Sequence, residues 1–206
     1  MSAVRNKPRK SKRAASTSDR ILDVAEYLMQ TRGYNGFSYA DVALEIGITK
    51  ASLHHHFSTK AALGAAVLGR YARGFREALA AIDAQPAAAP LRLERYAQLY
   101  ADVLAQDRLC LNAMLAAEYV TLPAAMQKTI RGFFAEGGRW LARVIGEGRV
   151  AGTLHPRGPD EEVALMLLGG LEGAMLVAWP LQDLPSFLAS ARHLLANLQQ
   201  TPDPRP

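Results

Sequence analysis

The chain has 206 residues, half of them hydrophobic and 7% aromatic, with a formal net charge of +5 at neutral pH. Apolar material in that amount, mostly Ala and Leu with Gly and Pro at intervals, excludes a disordered or fibrous chain and points to an all-α fold. A lone cysteine, Cys110, excludes an internal disulfide and suits a reducing cytosol.

The charge is unevenly spread. Arg5, Lys7, Arg9, Lys10, Lys12, Arg13 and Arg20 face only Asp19 within residues 1–20, so this end carries +6 and the rest of the chain −1. Residues 1–17 lack apolar periodicity and read as a disordered basic arm suited to phosphate or another anionic surface. No apolar run follows the arm as it would in a secretory signal, so a cytoplasmic location is expected.

Ser18 is the expected cap of a first helix, whose apolar stripe is Ile21, Leu22, Ala25, Leu28 and Met29 and which Gly33 ends. Ser38 with Asp41 three residues on gives a capping-box pattern for a second, short helix with Val42, Ala43 and Ile46 inward. Gly47 stops it. Thr49 caps a third short helix that buries Leu53 and Phe57. Ser58 or Thr59 caps a fourth, running to about Asp83. "AQPAAAP" at 84–90 is the clearest break in the chain. Beyond it, helices are expected at about 91–106, 108–120, 123–150, 160–179 and 185–200, with a short disordered tail at 201–206. No strand pattern competes.

Two short helices joined by Gly47-Ile48-Thr49 form a helix-turn-helix pattern. The start of the second such helix meets base edges in the major groove. Lys50, Ala51, Ser52, His54 and His55 are then expected to face outward, with Ala51 placed to touch a thymine methyl group. Three consecutive histidines invite a metal reading, but successive helix residues project about 100° apart and cannot converge on one ion. No metal and no cofactor is expected.

With the motif in place, "ILDVAEYLMQTRGYNGFSYADVALEIGITKASLHHHFSTKAALGAAVL" resembles the DNA-binding domain of the TetR/AcrR family of bacterial transcriptional regulators. The glycine-aromatic step, the Ser38 cap, the "GITKASL" turn and the "STKAAL" helix start carry the likeness. Ala51 stands where the family usually has Gly, and His54 where it has Tyr. The resemblance implies a helix-turn-helix domain at 18–64 and a helical ligand-binding and dimerisation domain at 65–200. It also implies a homodimer on double-stranded DNA with a palindromic operator, with Ser38, Thr49, Lys50, Ser52, His54, His55 and Lys60 holding phosphates or base edges. The family's usual mode is repression relieved by a small-molecule effector.

For the effector pocket the expected lining is Cys110, Met114, Leu115, Glu118, Tyr119, Phe133, Phe134, Trp140 and Met175. The stretch around Cys110 is similar to electrophile-responsive members of the family, and a thiol near a helix N-terminus is expected to ionise readily. The resemblance implies that the last two helices pair with their copies, with Gly169, Gly173, Val177, Leu188 and Leu195 at the dimer interface; glycines four apart would let a second helix approach closely. The apolar run 163–179 is shorter than a membrane span and carries Glu172 in its middle, so no membrane partner is expected. An enzyme is not expected, because the histidines at 54–56, 155 and 193 have no partner placed by a recognisable motif. An effector-independent architectural DNA-binding protein is the alternative; it does not explain a large domain with inward aromatics.

Overall fold

A computed structural model describes residues 16–200; the basic arm up to residue 15 and the tail at 201–206 lie outside the described residues. Among the described residues nine α-helices follow in order: α1 Thr17–Arg32, α2 Tyr39–Ile46, α3 Lys50–His56, α4 Lys60–Asp83, α5 Ala89–Leu104, α6 Leu111–Ala116, α7 Ala124–Val150, α8 Asp160–Leu181 and α9 Leu184–Gln199. A single 3-10 turn, Tyr119–Thr121, lies between α6 and α7. There is no strand among the described residues.

The first helix starts two residues earlier than its sequence suggests. Ser16 is the cap: its hydroxyl accepts from the Asp19 backbone N–H while the Asp19 carboxylate accepts from the Ser16 N–H. Asp19 selects Ser16 over Ser18 because only that spacing satisfies both orphan amides. Ser38 and Asp41 form the same box on α2, and Thr49 and Thr59 cap α3 and α4. The expected helix at 108–120 shrinks to six residues plus the 3-10 turn. Its C-terminal part is diverted so that Glu118 reaches the loop after α1 and Leu122 buries.

Two apolar cores form. The first joins Ile21, Leu28, Met29, Phe37, Val42, Leu53, Leu63 and Leu68 to Leu111, Leu115, Leu122, Met126 and Ile130, so α6 and the start of α7 complete it. Leu79, Leu93, Tyr96, Tyr100, Phe133, Leu141, Leu167, Leu171, Met175, Phe187 and Leu195 belong to the second. The long helix α4 contributes to both without interruption, and the link at 84–88 joins two helices of the second core. Helix α8 is apolar enough to cross a membrane, with mean hydropathy 1.6 over 18 residues. In the fold it packs against α5, α7 and α9.

The junction between the cores is polar and specific. Glu118 accepts from the backbone N–H groups of Tyr34 at 2.6 Å and Asn35 at 3.2 Å. Gly33 makes this possible: its φ is +78°, and a Cβ there would sit 2.8 Å from a Glu118 carboxylate oxygen. Buried Gln30 on α1 donates from its side chain to the Leu109 carbonyl at 2.9 Å.

Candidate functional site

The α2–α3 pair is set by Gly47, which takes the left-handed conformation (φ 75°, ψ 39°) open to glycine at little cost. Leu53 is the one buried residue of α3, and that single anchor leaves the rest of the helix outward. Thr49, Lys50, Ala51, His54 and His55 are exposed, and Ser52 is half-buried with its backbone N–H on the Thr49 hydroxyl at 3.1 Å.

His54 is held rather than free. Its ring stacks on Tyr39, centroids 4.7 Å apart and planes 16° from parallel, and Nδ1 lies 3.2 Å from the Ser58 carbonyl. The carbonyl can only accept, so Nδ1 is the donor in that contact, and Nε2 is left without a partner among the described residues. Tyr39, which sequence reasoning missed, in turn donates to the Phe57 carbonyl at 2.7 Å and so fixes both helix ends.

Two expected DNA contacts are engaged inside the chain. The Ser38 hydroxyl donates to Asp41 at 2.8 Å within the capping box. Lys60 points inward, its ammonium donating to the Phe37 carbonyl and lying 4.6 and 4.4 Å from the Tyr34 and Phe37 ring centroids. Burial pushes its pKa down. No group of three metal-ligating side chains occurs among the described residues.

The second feature is a cavity of about 20 Å³, room for one water. Tyr71, Phe75, Leu99, Tyr100, Val103, Cys110, Phe133 and Met175 line it. Of the expected pocket residues only Cys110, Phe133 and Met175 do so. Met114 is partly buried against the second core, and Leu115 belongs to the first. Phe134 packs edge-on against Phe133 and borders an open groove with Leu165. Trp140 stacks on Tyr96 at 5.4 Å and donates from Nε1 to Asp83 at 3.1 Å. Glu118 is committed to the junction, and Tyr119 accepts a hydrogen bond from Arg131.

Cys110 departs from its expected chemistry. It does cap α6, but it is 2% exposed, and burial and then the neighbouring Glu172 push its thiol pKa well up. Arg108, two residues before it, lies over the Tyr27 ring at 5.6 Å. Desolvation outweighs the short helix's dipole.

Glu172, which enters the sequence reading only as an argument against a membrane span, belongs beside the cavity. It is 8% exposed, and neither carboxylate oxygen has a hydrogen-bond partner. Burial raises its pKa to about 7, although Cys110 and Tyr100 nearby favour the ionised form. A charged residue inside an apolar helix was the available signal.

On the outer side of α8, Gly169 and Gly173 have no neighbour within 4 Å of a would-be Cβ. Leu165, Met166, Leu176 and Val177 stand exposed around them. The other small row is used internally, since Gly170 lies against Leu194 of α9. Leu188 is partly exposed on α9, but Leu195, expected at an interface between copies, is 5% exposed and packs in this chain's own core. It falls on the α9 face that meets α5.

Residues 21–67 match the family described as "Bacterial regulatory proteins, tetR family". A TetR-family transcriptional regulator from Agrobacterium tumefaciens is 30% identical and superposes with a TM-score of 0.85, over 89% of this chain and 97% of that one. A TetR transcriptional regulator from Legionella pneumophila is 29% identical at a TM-score of 0.80, over 88% and 96%. The reduced form of E. coli NemR shares the fold at 24% identity and a TM-score of 0.77, over 91% and 99%. No protein of curated function matches the sequence. The chain belongs to the TetR family of transcriptional regulators, and its α2–α3 unit is the family's DNA-binding helix-turn-helix.

Proposed function

We propose that this protein is a cytoplasmic, homodimeric repressor that leaves a palindromic operator when a small molecule enters the cavity beside Cys110. The observation that carries this is the shared position of one segment. Residues 109–115 give Leu109 to a hydrogen bond from α1, Cys110 to the cavity wall, and Leu111 and Leu115 to the core beneath the helix-turn-helix. A ligand that widens the cavity displaces a segment on which the DNA-binding helices rest. It releases DNA to the extent that it binds the displaced state better than the DNA-bound one.

In this reading Lys50, Ala51, Ser52 and His55 meet the major groove, and Thr49 and His54 position the helix against phosphates. Ser38 and Lys60 contribute by holding the domain's shape. The exposed Leu165, Met166, Gly169, Gly173, Leu176 and Val177 face supports pairing of two α8 helices, with Leu188 at its margin. Two recognition helices on successive major grooves need a separation of about 34–36 Å. The buried, protonated Cys110 argues for a non-covalent effector over an electrophile.

Footprinting of the purified protein on DNA flanking its own gene, repeated with candidate small molecules, tests this. A protected inverted repeat that is lost on ligand addition is expected. A monomer indifferent to every inverted-repeat duplex would refute it. Release by quinones or aldehydes that disappears in Cys110→Ser would reinstate the electrophile.

A further inference from the structure

A carboxylate buried without a counter-charge is costly, and no cation pairs with Glu172 among the described residues; its polar neighbours are the Cys110 thiol and the Tyr100 hydroxyl. Its charge is felt by Tyr71, Tyr96, Tyr100 and Cys110. Three of those four line the cavity, and Met175, one helical turn along the same face of α8, lines it too. Around this point the rings of Tyr71, Phe75, Tyr96, Tyr100, Phe133 and Trp140 form a continuous aromatic cluster, with neighbouring centroids 4.4–6.1 Å apart. Ring faces attract cations and exclude anions.

The approach has the same polarity. An open groove of about 440 Å³ shares Tyr71, Phe75, Leu99 and Val103 with the cavity, which makes those four its mouth. Its outer wall carries Asp23 and Glu26 around a single Arg70, paired at 2.7 and 2.8 Å. Two carboxylates against one guanidinium leave the mouth negative.

We propose that the cavity takes a hydrophobic organic monocation, an amine or quaternary ammonium, whose charge Glu172 neutralises and whose hydrocarbon lies among Tyr71, Phe75, Tyr100 and Phe133. This rests on the effector reading above and gives it a ligand class. The empty volume is too small for such a molecule, so binding parts Leu99 and Val103 and moves the wall that includes Cys110.

The test uses the full chain at pH 8 with three probes: benzyltrimethylammonium chloride, its neutral carbon isostere neopentylbenzene, and phenylacetate. Binding is read by calorimetry for the wild type, Glu172→Gln and the mouth-plugging Val103→Trp. Operator binding serves as the folding control. The cation is expected to bind the wild type at least about tenfold more tightly than the isostere. Glu172→Gln should erase that preference while sparing the isostere, and Val103→Trp should weaken both. Equal or tighter binding of either uncharged or anionic probe overturns the proposal. So does a cation affinity unchanged in Glu172→Gln, or no cation binding at millimolar concentration. If a probe other than the cation binds and Val103→Trp abolishes it, the effector cavity stands without the cation. If Val103→Trp changes nothing, the cavity reading falls as well.

Discussion

The two halves of the molecule use polar side chains in opposite ways. Each of α1 to α4 begins at a Ser or Thr, namely Ser16, Ser38, Thr49 and Thr59, whose side chain accepts a backbone N–H. The next four helices begin at Ala88, Cys110, Pro123 and Pro159 with no side-chain cap. Among the described residues, Asn112 and Glu172 alone have both polar side-chain atoms buried and unpartnered, and both lie in the later half. The helix-turn-helix half uses its serine and threonine side chains to fix where each helix begins. The later half leaves four of its five helix starts without a side-chain cap, Asp183 of α9 being the exception, and keeps Asn112 and Glu172 unpartnered in the interior.

That contrast can be broken experimentally. Leu53→Ala removes the sole anchor of α3 and should destabilise the protein by about 3 kcal/mol in denaturant melts, with operator binding lost. If stability were unchanged, α3 would not depend on core burial as described. Glu172 should show the opposite sign. Its folded pKa is raised from 4.5 to about 7, so the folded state holds its proton more tightly than the unfolded chain. The stability it allows is complete below pH 4.5 and is lost as pH rises to about 7, a fall on the order of 2–3 kcal/mol. Melts of the wild type and Glu172→Gln across that window should differ in slope, and parallel curves would show that the carboxylate is solvated.

Smaller effects sharpen the first half of the comparison. Thr49→Ala removes a cap and should cost about 1 kcal/mol; thermal unfolding monitors it, and a loss well below that would make the cap dispensable. Lys50→Ala should leave stability alone and lower the salt slope of operator binding by about one. An unaltered slope would place Lys50 away from phosphate.

How much was legible in the sequence follows the same division. Caps, glycine turns and the outward face of α3 were readable because each is fixed by local chemistry within four residues. Ser16 was missed by two positions because the reciprocal Asp19 bond, rather than the first apolar residue, sets the start. The cavity was mostly illegible. Glu118, Tyr119, Phe134 and Trp140 have the composition of pocket walls, yet their positions depend on contacts up to 84 residues away in sequence. Tyr71, Phe75 and Tyr100 converge only because α4, α5 and α7 cross, which periodicity on one helix does not reveal. Leu195 was assigned to the wrong side of α9 for the same reason. Glu172 alone announced itself, as a charge where the pattern called for Leu.

Helix α4 runs unbroken for 24 residues from one core to the other, a rod of about 36 Å. Pivoted at its Asp83 end, a tilt of about 5° would sweep the far tip through about 3 Å. In the proposed dimer, the distance between the two reading heads on a duplex is therefore sensitive to angular changes too small to disturb the packing at the pivot, where Asp83 is tied to Arg92, Arg143 and Trp140.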